Sequence, residues 1–179
     1  GLGSTVRDLA ANAGAEVDVR KSAISALRDL GGAESEAALA ELAANDPALA
    51  LKIAASKALA ALSQAKGLEA AIAVMKSVND EGAALDLWRS LLANRGAAEA
   101  IAQMLPREGL PGPVVSAGLR AAREGGRNEP NLVLALARHQ GGAAEQPLAP
   151  EELKRLAQTS ITQGDAARGE LVYRRAELA

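Results

Sequence analysis

The sequence predicts an all-α fold, an array of about four helical hairpins with further helices at its ends, and three observations carry that prediction. First, 49% of the 179 residues are hydrophobic, yet Trp88 and Tyr173 are the only aromatics and Phe is absent. Alanine and leucine favour helices and let them approach closely, whereas strands favour β-branched and aromatic side chains. Second, apolar positions recur at a step of 32: Leu27, Leu59 and Leu91, then Val19, Leu51 and Ala83, then Ala23, Ala55 and Leu87, then Ala26, Ala58 and Ser90. Spacings of three and four between these sets put them on one stripe of a helix, so the repeating unit is a helical hairpin. Third, Gly and Pro punctuate the chain at the intervals such a unit requires.

Taken in order, helices are expected near 5–13, 17–30, 34–44, 47–63, 67–77, 81–94, 97–105, 113–124, 130–139, 150–159 and 165–178. Gly31-Gly32, Gly125-Gly126 and Gly141-Gly142 follow helical runs where the chain must turn left-handed. Pro47, Pro113, Pro130 and Pro150 fall at or near first-turn positions, where a missing N–H costs nothing. Asp46, Asp80, Asp165 and, at the start, Ser4 stand where an N-cap acceptor is needed. The four hairpins are 17–44, 47–77, 81–105 and 113–139, preceded by a lone helix that reads as the second half of an earlier repeat. The array is therefore expected to span 1–139, a spacer 140–149, and terminal helices 150–179, in a piece cut from a longer protein.

Charge excludes some partners. With 20 basic and 22 acidic residues, the net charge of −2 gives no footprint for nucleic acid or an anionic membrane. No apolar run approaches the roughly 18–20 residues of a membrane span. The chain has no cysteine, which excludes a disulfide, a thiolate metal site or a Cys nucleophile within it.

Candidate chemistry is sparse, and no catalytic, cofactor-binding or metal-binding residue is assigned. His139, the single histidine, ends a helical run and reads as a solvent-exposed or capping cation. The pairs Glu34/Glu36 and Glu151/Glu152 fall in first helical turns, where the helix dipole favours acidic residues. Gly1-Leu2-Gly3-Ser4-Thr5 looks like a phosphate loop but lacks the preceding strand and the lysine. Arginines gather late, and Arg120, Arg123 and Arg127 form either a solvated helix face or a surface for an acidic partner. Trp88 follows the stripe position Leu87, so packing is expected, with a binding patch as the alternative if it is exposed.

The run Asp18-Val19-Arg20-Lys21-Ser22-Ala23-Ile24-Ser25-Ala26-Leu27-Arg28-Asp29-Leu30-Gly31, followed by Ala37-Ala38-Leu39 and Asn45-Asp46-Pro47, resembles HEAT repeats of the phycobilisome-lyase type. The resemblance covers about 16–62. It weakens as Arg20 becomes Lys52 and Ala84, and as Leu30 becomes Leu62 and Asn94. It implies an α-α superhelix, a HEAT/armadillo-like solenoid. The Trp, Gly, Tyr and Pro pattern of tetratricopeptide repeats is missing.

Near the C-terminus, Gly164, Asp165, Arg168, Gly169, Glu170, Val172 and Tyr173 resemble the helix that leads into Cys-x-x-Cys-His in monohaem c-type cytochrome domains, though those haem-binding residues do not occur here. A plain helix capped by Asp165 is the other reading. An array followed by this lead-in is similar to exported proteins that join a sugar-dehydrogenase-like propeller, helical repeats and a cytochrome domain. That resemblance implies haem c on a domain following Ala179, an exported or periplasmic location, and a non-catalytic connector whose partners are flanking domains of the same polypeptide. An independent adaptor that grips another protein in a concave face is the alternative, and a bilin-lyase-like enzyme a third.

Overall fold

The computed structural model describes residues 1–140, 150–163 and 165. Among them every regular element is helical. The chain divides into two units, 1–142 and 143–179. The first contains α1 (Leu2–Ala11), α2 (Val17–Leu30), α3 (Gly32–Asn45), α4 (Leu49–Leu62), α5 (Gln64–Met75), α6 (Glu81–Leu92), α7 (Ala97–Met104), α8 (Gly112–Ala121) and α9 (Pro130–Ala137). Short 3-10 turns follow at Glu124–Gly126 and Arg138–Gln140. In the second unit the described helix is α10 (Pro150–Gln163). The expected spacer 140–149 lies almost wholly outside the described residues, as does all of the helix expected over 165–178 except Asp165, which is exposed and not helical.

Helices two apart in sequence pack on one another in the first unit. α2 meets α4, α4 meets α6 and α6 meets α8, while α1 meets α3, α3 meets α5, α5 meets α7 and α7 meets α9. Two rows of helices result, and the stripe at a step of 32 lies between them: Leu27, Leu59 and Leu91 are at most 1% exposed. Two apolar clusters fill the space. One joins Ala10, Ile24, Leu27, Leu39 and Leu51 with their neighbours, and the other runs from Ala60 to Leu136 around Trp88. Helix α4 contributes to both, because its Leu59 and Ala60 point to opposite clusters.

Most of the expected helix ends lie within two residues of those observed, with instructive exceptions. Gly31 and Gly32 adopt φ of 65° and 80°, a region disfavoured for side chains, and so turn α2 into α3 within one residue. Asp80 caps α6 by accepting from the Ala83 N–H at 2.7 Å. Asp46 does not cap α4, whose N-cap is Ala48; it closes the turn before it, accepting from the Ala48 N–H at 2.9 Å. Ser4 lies within α1 and not at its cap, donating to the Gly1 carbonyl at 2.6 Å. Gly67, taken in the sequence as a helix start, is inside α5, where a Cβ would stand 2.1 Å from the Ala60 Cα. At that crossing α4 and α5 are in backbone contact, an approach only glycine allows.

Candidate functional site

Ties between the two rows, and between successive helices of one row, engage Arg20, Asp46, Glu34 and Glu36. Arg20 is buried at the start of α2 and reaches in two directions: its Nε donates to the Ala10 carbonyl at 2.8 Å, and its guanidinium pairs with buried Asp46. One side chain thus joins the end of α1, the start of α2 and the α3–α4 turn. Lys52, 32 residues on, repeats half of this, its Nζ donating to the Ala44 carbonyl at 2.8 Å. Ala84 at the third equivalent position has nothing to donate.

Outer-surface ties instead join successive helices within a row. Arg7 of α1 pairs with Glu34 of α3, and Glu36 of α3 with Lys66 of α5. Lys57 of α4 pairs with Asp86 of α6 at 2.7 Å, and Asn131 of α9 donates to Glu99 of α7 at 2.8 Å. The Asn131 bond, then a second from Gln103, holds the Glu99 carboxyl below the usual carboxylate range. Glu34 and Glu36 are therefore struts between helices rather than an acid and base pair, and Glu151 pairs with Lys154 one turn along α10.

Arg120 shares Glu124 with Arg89. The Arg89 guanidinium makes a two-pronged contact at 2.8 Å and Arg120 adds a bond at 3.1 Å. The hydrogen bond from Arg89 is the main cause of a lowered Glu124 pKa, and the charges of Arg89 and Arg120 reinforce it; the same bond raises Arg89. Arg123 is exposed and Arg127 half-buried. The three late arginines are consequently not one patch of equal cations, since Arg120 is committed to an ion pair.

Trp88 takes the packing position expected first for it and is not exposed. It is fully buried, its indole N–H donates to the Val114 carbonyl at 2.9 Å, and its ring lies where a Cβ on Gly118 would approach to 2.8 Å. Its position beside the stripe on α6 turns it toward α8, which makes it the largest side chain of the second cluster. His139, by contrast, departs from expectation: both ring nitrogens are shielded from solvent and no hydrogen-bond partner is found for them among the described residues. The expected cap is not formed there.

An open groove crosses α2, α4 and α6 in the even-numbered row. It measures about 310 Å³, with Lys21, Arg28 and Lys57 at its edges and Ile24, Ala54 and Ala58 along its floor. An adjoining hollow of about 370 Å³ shares Lys21, Ala54 and Lys57 and ends at Asp86. The sequence reading overlooked these cations, although Lys21 and Arg28 are seven apart on one helix, two turns of the same face.

Among the described residues no cluster of three or more potential metal ligands occurs, and no helix is long and apolar enough to cross a membrane. Gly164, Arg168, Gly169, Glu170 and Tyr173, the cytochrome-like lead-in, lie outside the described residues apart from Asp165. Comparison with protein-family models, with curated proteins and with solved structures gives no match.

Proposed function

We propose that this chain is a non-catalytic scaffold, a HEAT-like solenoid of stacked hairpins that holds neighbouring domains or proteins at a set separation. The observation that carries the proposal is the like-with-like packing of helices two apart in both rows, tied across by Arg20 and Lys52 and along each row by the outer ion pairs. Hairpins that bury their apolar faces only against neighbouring hairpins behave as a quasi-one-dimensional rod, and rods of this kind space or dock other proteins. The redox-connector form of the proposal, with haem c on a following domain, is supported by the resemblance of 164–173 alone; an encoding gene that lacks Cys-x-x-Cys-His soon after that segment would remove it.

The spacer role is tested by pulsed electron spin resonance on Thr5→Cys/Asn128→Cys, both sites being exposed in a chain with no cysteine of its own. One narrow distance distribution is expected. A broad one would show that the array cannot set a separation, and the scaffold reading would fall. The groove over α2, α4 and α6 favours a second reading, an adaptor that grips a partner there; unchanged partner capture by a Lys21→Glu/Lys57→Glu variant would exclude it.

A further inference from the structure

The net charge of −2 conceals a polarity between the two rows. Helices α2, α4, α6 and α8 carry seven cations and four carboxylates, whereas α1, α3, α5, α7 and α9 carry two cations and six carboxylates. The open groove lies on the cationic row, over α4 and between α2 and α6, where Ala54, Ala58 and Ala61 leave a low strip at helical spacing. Helices of the array bound it on both sides, so it is not an end face. Lys21, Arg28 and Lys57 line it, and no carboxylate does. The partners of these cations point into water: the Asp18 side chain is 92% exposed, Asp29 67% and Asp86 69%. Pairs so open to solvent contribute little, and an incoming carboxylate can replace them without leaving a buried charge unpaired.

The remaining lining indicates the form of the occupant. Ser25, Ser90 and Asn94 also face the groove, and none has a side-chain hydrogen bond among the described residues. Such groups suit an extended backbone, whose N–H and C=O need partners; a helix has already satisfied most of its own. Lys21 and Arg28 are seven residues apart on α2, about 10 Å along its axis, a span that about three residues of extended chain cover. Nucleic acid is a poorer match, because Trp88, the one aromatic among the described residues, is buried and offers bases no stacking platform. We propose that the groove takes an extended acidic segment of a partner protein, its Asp or Glu side chains on Lys21, Arg28 and Lys57 and its backbone on Ser25, Ser90 and Asn94. The inference rests on the adaptor reading of this groove and names the chemistry of its occupant.

The test is a titration followed by amide chemical shifts, with a short end-blocked peptide alternating Glu and Ala as probe. One control peptide replaces each Glu with Gln, and an oligothymidylate is the second control. Saturable binding of the Glu peptide is expected, with shift changes centred on α2, α4 and α6. Affinity should be at least ~10-fold weaker for the Gln peptide, ~3-fold weaker for Arg28→Gln, and weaker again in high salt. Arg28 is exposed and pairs only with the adjacent Asp29, so its replacement removes no tie between helices; far-ultraviolet circular dichroism would verify the fold. Shifts centred elsewhere, an affinity that Arg28→Gln leaves unchanged, or tighter binding of the oligothymidylate would overturn the proposal. So would sedimentation revealing oligomers that Arg28→Gln dissociates, since the occupant would then be the acidic row of a second copy. A Gln peptide that moves the same amides with equal affinity would overturn the acidic occupant and leave the adaptor reading standing. If neither peptide moves them, both fall.

Discussion

Replacing Asp46 with Asn separates the two jobs this residue does. The amide oxygen of Asn still accepts from Ala48, so the turn before α4 is kept, while the negative charge facing Arg20 is lost. Arg20 and Asp46 are only 5% and 6% exposed. Removing one partner of a pair so deeply buried leaves a charge that water cannot reach, at a cost of about 3–5 kcal/mol. The Ala10 carbonyl still accepts from Arg20, so the lower end of that range applies. Lys52→Met is the internal control, because Lys52 holds the equivalent place, makes one neutral-acceptor bond and is half-exposed; about 1 kcal/mol is expected there. Arg20→Met alone leaves the Asp46 carboxylate buried, whereas the double variant Arg20→Met/Asp46→Asn leaves no unpaired charge. The double variant should thus lose less than the two single losses combined, by about 2 kcal/mol. Urea unfolding followed by far-ultraviolet circular dichroism measures all four variants. If Asp46→Asn costs no more than Lys52→Met, or if the single losses simply add, the pair does not hold α1, α2 and the α3–α4 turn together.

Other perturbations follow from the same contacts. Gly67→Ala should destabilise the chain by ~2 kcal/mol or more in thermal unfolding although alanine is the better helix former, because the backbone clash at Ala60 outweighs a propensity gain of about 1 kcal/mol. Trp88 fluorescence should be blue-shifted and resist acrylamide, and emission at the wavelength of free indole would contradict its burial. The lowered pKa of Glu124 predicts a pH effect with a defined sign: its stabilisation is present above the unfolded carboxylate value of about 4.3 and is lost as pH falls through the lower folded value. The melting temperature of Glu124→Gln should accordingly lie below that of the parent at neutral pH and converge with it in acid; a gap that persists in acid would rule out the Arg89 clamp as its cause.

What the sequence made legible was whatever repeats locally. The step of 32 located the buried stripe through Leu27, Leu59 and Leu91, and the Gly31-Gly32 pair marked a turn that needs positive φ. Less legible was anything that depends on which neighbour arrives. Val19 belongs to the stripe but stands exposed, since burial at that position comes from an adjacent helix pair and not from the residue itself. Asp46 and Arg20 are 26 apart, and no local rule joins an acid in a turn to a cation one hairpin earlier. Gly67 was placed at the start of the helix expected over 67–77; its contact with Ala60 arises only when α4 and α5 close on each other. The groove cations escaped notice because the groove forms only when α2, which carries Lys21 and Arg28, packs beside α4, which carries Lys57 and the small residues Ala54 and Ala58.

The crossing of Gly67 and Ala60 bears on how the array can deform. Helix pairs separated by leucine can slide or tilt while side chains change rotamer, but two backbones in contact have no such cushion. Strain applied to the array would pass through the α4–α5 seam unchanged and be taken up at crossings on either side. The seam would act as a rivet, and spring-like behaviour would begin where the leucines do.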